Sequence, residues 1–496
     1  MDTTRAAPDS SYFIIELLNQ VKAKNIIENS FFIRTNKPVY RNPLDLPLFN
    51  DFRPVKRRSV LFKKSIEIVP FYTHINHVAL HHKGYYLKDY LALDQETVLV
   101  ALHEVVDILK NINDSLYFDL DKIFGALKYG FVEQRRAGVL FSGASSFGES
   151  SISLSVPFYY VERNYQLTAA DKKALEEEFG VSTQKEQDRF KKNHLISDKI
   201  GIGDLRININ LPLSETWKDH LELVFLVTMP IGGAFVKGIA GSAFVGSPTV
   251  PVLDANILFD LLVSGKQEEV FQTVSALGLD ALDSLSATLL EQSLTNERHF
   301  SLGFGFVNKL KIKDFFKHRF LKRWYWNYSL TCEYVIPSKH HRSFISKIDK
   351  KVIDSLDLAN SQNAANTLQT FTQEALDRFF LRSFRAKIHP GVVVRSYSTF
   401  IYNAYKKWHF WIGSDLWFKS AEKVVFLDAS AAVQASLDRP KVKNSYGLAL
   451  STLVGLSYKQ QKEAHTLEMG LTIFSTYCAR GVGKEMGIAL KLAAYF

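Results

Sequence analysis

The sequence lacks several features on which whole classes of protein depend. It has only two cysteines, Cys332 and Cys478, too few for a disulfide framework and without metal-site spacing. Its mean hydropathy is −0.06, and no run of 18 consecutive apolar residues indicates a transmembrane helix. The first residues do not combine a basic stretch with an apolar one, as a signal peptide does. Since the strand pattern described below is independent of this, we expect the sequence to begin near the mature start of an exported protein.

The composition instead favours strands. Aromatic residues make up 13% of the chain, with 37 Phe and 21 Tyr, and aromatic side chains are enriched in strands and at membrane interfaces. The formal net charge is +10, but the basic residues are scattered and form no arm. The charge therefore indicates an acidic membrane surface better than a nucleic acid.

The last residues of the chain alternate between two faces. A strand has a side-chain period of two, and this segment has one apolar face and one small or polar face. The apolar face consists of Met486, Ile488, Leu490, Leu492, Ala494 and Phe496.

The same alternation recurs upstream and predicts about twelve strands, with 10–14 possible. Each is about ten to sixteen residues long, whereas strands of soluble proteins average about five or six. A tilted strand that crosses a membrane needs about nine to eleven. The predicted strands lie near 62–72, 139–145, 152–160, 205–211, 221–229, 300–306, 324–334, 392–400, 408–418, 448–456, 467–473 and 486–496.

Short and long connections alternate between these strands until the last hairpin, which is short. Transmembrane barrels have short periplasmic turns and long external loops. The long connections lie near 78–136, 162–198, 231–296, 337–383 and 421–442. We therefore predict an all-β transmembrane antiparallel barrel over 57–496, and an N-terminal periplasmic segment or plug over 1–56.

The C-terminal strand resembles the closing strand of bacterial outer-membrane β-barrel proteins of the porin-like kind. The resemblance implies that Ile488, Leu490, Leu492 and Phe496 form a membrane-assembly signal. It also implies an integral outer-membrane location with both termini periplasmic. The implied partners are outer-membrane lipid, lipopolysaccharide, the barrel-assembly machinery and small solutes, with no nucleic acid and no cofactor.

The long connections are predicted to contain helical insertions, because loops without structure are rarely this long. Helical periodicity or dense charge marks 89–127, 169–193, 253–292 and 345–383, and an apolar helical stretch runs from Phe13 to Val21. We expect these helices to cap the barrel mouth or to fold into it.

The polar faces of the strands supply charges of both signs to the lumen. Such charges could set the selectivity of a water-filled pore, or they could form ion pairs that close a filled lumen. The pore-lining candidates are Arg206, Glu222, Lys309, Arg323, Glu333, Arg395, Asp415, Glu468 and Lys491.

Catalytic and metal sites are weaker interpretations. His341 and Ser343 have the His-x-Ser spacing of the outer-membrane phospholipase A family, but their flanking residues depart from that family's pattern. His74, His77, His81 and His82 are accompanied by no cysteine or carboxylate constellation, so a surface loop is expected there rather than a metal site. The prediction is a protein that is not an enzyme.

The predicted function is an outer-membrane channel for the passive diffusion of small solutes or ions. Two alternatives stay open. One is a gated transporter of apolar substrates, similar to the long-chain fatty acid transporters, with the N-terminal segment as its hatch. The other is a barrel that only anchors a surface-interaction protein.

Overall fold

A computed structural model describes most of the predicted strands and a short N-terminal segment. The described residues are 39–49, 64–79, 84–87, 129–147, 150–169, 191–214, 220–238, 299–312, 319–344, 382–404, 407–461 and 465–496, with short pieces at 172–173, 189, 269, 272, 289–290, 293–295 and 347. No helix among them is long and apolar enough to cross a membrane.

Seventeen strands are described. In chain order they are β1 Lys64–Ile75, β2 Phe131–Phe147, β3 Ser150–Gln166, β4 Ile196–Ile202, β5 Leu205–Ser214, β6 His220–Met229, β7 Ala234–Lys237, β8 Ser301–Lys311, β9 Trp324–Val335, β10 Ser338–Phe344, β11 Arg382–His389, β12 Gly391–Ala404, β13 Trp408–Lys419, β14 Lys423–Leu427, β15 Gly447–Gln461, β16 Thr466–Arg480 and β17 Glu485–Tyr495. An α-helix, α1, runs over Ala431–Ser436.

Fourteen of these strands form one antiparallel sheet that closes on itself. β3 pairs with both β4 and β5, and β7 pairs with β4 as β6 does with β5. β4 and β7 therefore continue the wall strands β5 and β6, which leaves twelve wall strands. The β2–β3 pairing and the β1–β17 pairing close the ring. The predicted twelve-stranded antiparallel barrel is confirmed.

The seam joins the C-terminal strand to the first strand. Ile68 lies opposite Leu492 and Tyr72 opposite Ile488, and the backbone N–H of Phe496 donates to the carbonyl of Lys64 at 3.0 Å. β2 extends well beyond the predicted 139–145, because its first half carries inward polar residues such as Arg136 that hide the apolar alternation, and β1 lies two to three residues later in the chain than the predicted 62–72.

The two faces of the wall differ sharply in exposure. On β1, Ile66 and Ile68 are 58% and 40% exposed, whereas Val69 and Phe71 are 4% and 5% exposed. This inside-out arrangement, with apolar side chains outward, is the one that a lipid environment requires. The exposed outward side chains include Phe141, Leu154, Phe158, Phe225, Leu302, Phe304, Phe400, Phe410, Ile412, Val454, Met469, Ile473, Met486, Ile488 and Leu490.

Two ends of the barrel follow from the connections. The turn end holds the short β2–β3, β5–β6, β8–β9, β12–β13 and β15–β16 connections, and the loop end holds the long ones. At the loop end, β10, β11 and β14 form a separate three-stranded sheet. It corrects the prediction that 337–383 and 421–442 contain only loop and helix; these strands are too short to show a clear alternation in the sequence. The predicted helical stretches, Phe13 to Val21 included, lie almost wholly outside the described residues.

Candidate functional site in the barrel lumen

A short stretch of the N-terminal region, residues 39–49, lies among the inward-facing side chains of the barrel. We call it the lumen segment. It contains two single-turn 3₁₀ helices, Pro43–Asp45 and Pro47–Phe49. The Asn42 side chain accepts a hydrogen bond from the Leu44 N–H at 3.0 Å, which caps the first turn. Proline fixes φ, so the two prolines stiffen a segment that has no regular strand partner.

One acidic side chain of the lumen segment binds the wall through Arg206. The Asp45 carboxylate lies 2.6 Å from the Arg206 guanidinium, which also lies 3.0 Å from Glu333 on β9. The second Asp45 oxygen accepts a hydrogen bond from the Trp417 indole at 3.2 Å. All these groups are buried, and a buried charge is tolerated only when it is paired and hydrogen-bonded.

A second ionic cluster binds the segment to β12 and β13. Arg41 lies 2.8 Å from one oxygen of Asp415, and Arg395 lies 3.3 Å from the other. Arg395 also donates to the backbone carbonyl of Leu46 at 3.1 Å. A single wall carboxylate thus links one arginine of the segment to one arginine of the wall.

Further polar contacts reach the opposite side of the barrel. The Asn42 amide donates to Asp204, between β4 and β5, at 2.6 Å. Arg136 on β2 donates to the carbonyl of Arg41 at 3.0 Å. The segment is therefore held from β2, β5, β12 and β13 at once, so it crosses the lumen rather than following one wall.

The leucines of the segment pack on an apolar part of the lumen. Leu44, Leu46 and Leu48 are each at most 5% exposed. Their cluster contains Val69, Phe71, Leu140, Tyr159, Val161, Ile401, Trp411, Leu453, Phe474 and Ala489. Side chains from eight of the twelve wall strands therefore meet at the segment, which occupies this level of the lumen.

The direction of the segment is set by its first residue. Val39 belongs to a buried apolar cluster that includes Val335 at the end of β9 and Val482 in the β16–β17 connection, both at the loop end. It also comes within 3.0 Å of where a Cβ on Gly447 would lie, so a side chain there would press on the segment. The segment runs from the loop end at Val39 to the middle of the barrel at Leu48.

The electrostatics of the site favour the charged form of Asp45. Burial raises the pKa of its carboxyl, but the Arg206 and Arg395 guanidinium groups outweigh burial and hold that pKa below its ordinary value. A carboxylate paired in this way stays ionised at neutral pH, so the ion pair with Arg206 is present under ordinary conditions.

The predicted pore-lining residues divide into three groups. Arg206, Glu333, Arg395 and Asp415 gather around the lumen segment. The others on the wall form pairs with neighbouring strands: Glu222 with Lys309 at 4.0 Å, Lys491 with Glu67 at 3.7 Å, and Glu468 with Lys459 at 3.5 Å. Arg323 ends a 3₁₀ helix at the turn end, where it is exposed at the mouth rather than within the wall.

The predicted assembly-signal residues all lie on the outer face. Ile488, Leu490 and Leu492 are between 39% and 42% exposed, and Phe496 is 54% exposed. They are therefore accessible from outside the barrel wall.

The described residues give no further support to the catalytic and metal-site interpretations. His341 is exposed on β10, opposite Arg385. His74 belongs to β1 rather than to a loop, and its Nε2 lies 3.2 Å from Glu133; His81 and His82 lie outside the described residues. Among those that are described, no three histidine, cysteine or acidic side chains are grouped as metal ligands are.

Sequence reasoning missed two tryptophans and the individual residues of the segment. Trp411 and Trp417 share the inward parity of His409 and Asp415 on β13, but their apolar character suggests the outer face. In the segment, three leucines spaced two apart, Leu44, Leu46 and Leu48, close to the charged Arg41 and Asp45, were the available signal.

Comparisons with known proteins bear only on the architecture. No family model and no curated protein matches the chain. Among solved structures, an outer-membrane channel from Pseudomonas putida F1 is similar at 8% identity and a TM-score of 0.41, covering 90% of this chain and 100% of that one. The transport unit of the autotransporter AIDA-I from Escherichia coli has 6% identity, coverage of 91% and 95%, and a TM-score of 0.34.

A Pseudomonas aeruginosa FadL homologue has 9% identity, coverage of 87% and 89%, and a TM-score of 0.30. Likenesses this low carry no functional argument. The chain's own strand order, its closure and its apolar outer face define it as a transmembrane β-barrel of the outer-membrane type.

Proposed function

We propose that this protein is a gated channel of the bacterial outer membrane, and that the lumen segment is its gate. The closed barrel with an apolar outer face supports a membrane-spanning role. The observation that carries the gate is that residues 39–49 cross the lumen and bind β2, β5, β12 and β13 through buried or partly buried charged groups. Passive diffusion of small solutes or ions would then require the segment to move.

Movement of the segment is a reversible way to open such a lumen. Its leucines pack on apolar side chains of the wall, whereas its other contacts to the wall are hydrogen bonds and ion pairs, in which water can replace the partners when the segment leaves. A buried ion pair is weak in net terms against full hydration, although it is costly to break by removing one partner. The gate can therefore be firmly seated and still release as a unit.

A second candidate is the transport of apolar molecules. The apolar cluster around Leu44, Leu46 and Leu48 favours it, because a displaced segment would leave a chamber lined by aliphatic and aromatic side chains. Ligand pockets for apolar molecules have this kind of lining, with a few polar groups. The charged groups beside the chamber would then orient a polar end of the substrate.

The test of the gate is conductance in planar bilayers. Residues 41–48 are replaced by a Gly/Ser linker of equal length, and folding is verified by the heat-dependent shift of barrel mobility on gels. We expect low or intermittent current from the unaltered protein and a steady ohmic current from the linker variant. A folded linker variant without current would contradict a channel, and steady current in both proteins would contradict the gate.

A further inference from the structure

The wall of the barrel binds the backbone of the lumen segment as well as its side chains. Three wall arginines donate to backbone carbonyls of the segment at distances between 3.0 and 3.3 Å: Arg136 to that of Arg41, Arg206 to that of Leu44, and Arg395 to those of Leu44 and Leu46. Every residue of a polypeptide carries such a carbonyl. These three arginines, which lie on β2, β5 and β12, therefore bind groups that any peptide offers.

The wall also has one site for each sign of charge. Asp415 lies 2.8 Å from the guanidinium of Arg41. Arg206 and the Trp417 indole donate to the carboxylate of Asp45 at 2.6 and 3.2 Å. The two charged side chains lie four positions apart in the segment, and its leucines pack in the apolar cluster of the lumen. The wall thus matches a peptide with a basic, an acidic and an aliphatic side chain.

The charged groups of the wall keep partners when the segment is gone. Each of the three arginines has a wall carboxylate near it: Arg206 has Glu333 at 3.0 Å, Arg395 has Asp415 at 3.3 Å, and Arg136 has Glu485 at 3.9 Å. A buried charge that loses its last partner is costly, but departure of the segment leaves each guanidinium beside a carboxylate. The wall therefore holds these side chains in place by itself, and a preorganised site binds its ligand at a lower cost in entropy.

The balance of charge on the wall favours a ligand with both signs over an acid. The wall groups that contact the segment, with the carboxylates paired to them, comprise three guanidinium groups and four carboxylates: Arg136, Arg206 and Arg395 against Asp204, Glu333, Asp415 and Glu485. A ligand of net negative charge would add to the excess of carboxylates, and like charges in contact are unfavourable. The segment itself carries one arginine and one aspartate over 39–49, so it adds no net charge.

We propose that the open lumen is a binding site for short peptides, and that the lumen segment is its intramolecular occupant. The ligand is a neutral peptide in which a basic and an acidic side chain flank an aliphatic one. Its carbonyls bind the wall arginines, and its aliphatic side chains enter the apolar cluster. An amphipathic acid lacks the cation and the row of carbonyls. The inference rests on the proposed gate, because the site becomes accessible only when the segment leaves.

The experiment adds the segment back as a separate molecule. The peptide RNPLDLPL, residues 41–48, is made with blocked ends and a fluorophore. It is titrated in detergent with the folded linker variant and with the unaltered protein, and binding is followed by fluorescence anisotropy. We expect saturable binding to the linker variant. The unaltered protein should bind on the order of 100-fold more weakly, because its own segment competes at a millimolar effective concentration.

The matched control is a peptide of the same composition, R41D/D45R, in which the arginine and the aspartate exchange places. It brings an acid to Asp415 and a base to Arg206, so we expect it to bind on the order of 100-fold more weakly. Neither peptide alters the fold of the protein. Equal binding of the two peptides, equal binding to both proteins, or no binding to the folded linker variant would overturn the proposal. Displacement of the native peptide by an equal concentration of decanoate would assign the lumen to amphipathic acids instead.

Conductance of the linker variant is measured separately and keeps the two proposals apart. Block of its current by the native peptide, and not by the control peptide, is the result expected when both proposals hold. A linker variant that binds the two peptides with the expected preference but passes no current refutes the channel alone. A steady current that neither peptide blocks, together with equal anisotropy for both peptides, refutes the peptide site alone.

Discussion

The outer and inner faces of the same wall strands are stabilised in different ways. On β17, Ile488 and Leu490 point outward and are each 42% exposed, whereas Ala489 between them is 3% exposed in the lumen cluster. The outward side chains meet lipid, which has no fixed shape and accepts any apolar group. The inward ones meet particular partners from distant parts of the chain. The outer face should therefore tolerate exchange within a class of residue, and the inner face should not.

The largest effect should come from Asp415→Asn, which breaks the inner face where two arginines share one carboxylate. Arg41 and Arg395 would lose their counter-charge while buried. Removing one partner of a buried ion pair costs about 3–5 kcal/mol. We expect release of the lumen segment and a higher open probability in planar bilayers. The control is Asp428→Asn, which changes an exposed carboxylate at the loop end and should leave the current unchanged.

Leu46→Ala should come next, because it leaves a cavity between the segment and the wall. Leu46 is fully buried, and truncations of buried leucine cost about 2–5 kcal/mol. Guanidinium titration of the barrel in lipid vesicles, followed by tryptophan fluorescence, should show an early transition as the segment leaves Trp411 and Trp417. A single transition at the original midpoint would mean that the leucine contributes nothing to seating the segment.

Leu490→Arg tests the rule for the outer face. Leu490 lies in the middle of β17, and an arginine on the lipid face near the bilayer midplane costs about 2–4 kcal/mol. We expect a lower midpoint of unfolding for this variant and an unchanged one for Leu490→Met. If both substitutions lowered the midpoint equally, shape rather than polarity would govern the outer face, and the contrast with the lumen would fail.

The smallest effect should come from Lys309→Gln at the turn end. Its nitrogen lies 4.0 Å from Glu222, and both side chains are partly exposed. Ion pairs in such positions contribute at most about 1 kcal/mol. The midpoint of unfolding and the current should both stay near the original values. A rise in open probability as large as that of Asp415→Asn would mean that Lys309 also anchors the gate, at the turn end.

The barrel itself could be predicted because its outer face obeys a simple physical rule. A strand that faces lipid needs apolar side chains at every second position. The strands at 300–306 and 467–473 could therefore be predicted from their own residues, without knowing which strands they pair with. The lengths of the connections indicated which end of the barrel carries the short turns and which carries the long loops. Of the two least regular strands, β2 was predicted too short, because inward groups such as Arg136 bind a distant carbonyl rather than following the pattern, and β1 was predicted two to three residues too early.

The site could be predicted only in part. The alternation along the strands assigned Arg206, Glu333 and Asp415 to the polar face of the wall, yet it could not say which groups they pair with. Their partners Asp45 and Arg41 lie more than 160 positions away, and no local rule connects residues at that separation. The inward tryptophans, Trp411 and Trp417, were missed for a related reason. An aromatic side chain can face either lipid or other lumen side chains, so its residue type does not indicate the face of the strand on which it lies.

The most direct measurement is the single-channel current of a barrel whose gate can be fastened and released. Asn42 and Asp204 touch across the lumen, and N42C/D204C in a C332S/C478S background places the two thiols there. Bridging them with a short bis(methanethiosulfonate) reagent, which forms a disulfide with each thiol and releases methanesulfinate, should abolish openings, and a reductant should restore them. Openings that persist in the bridged protein, or a current that ignores the reductant, would contradict the gate.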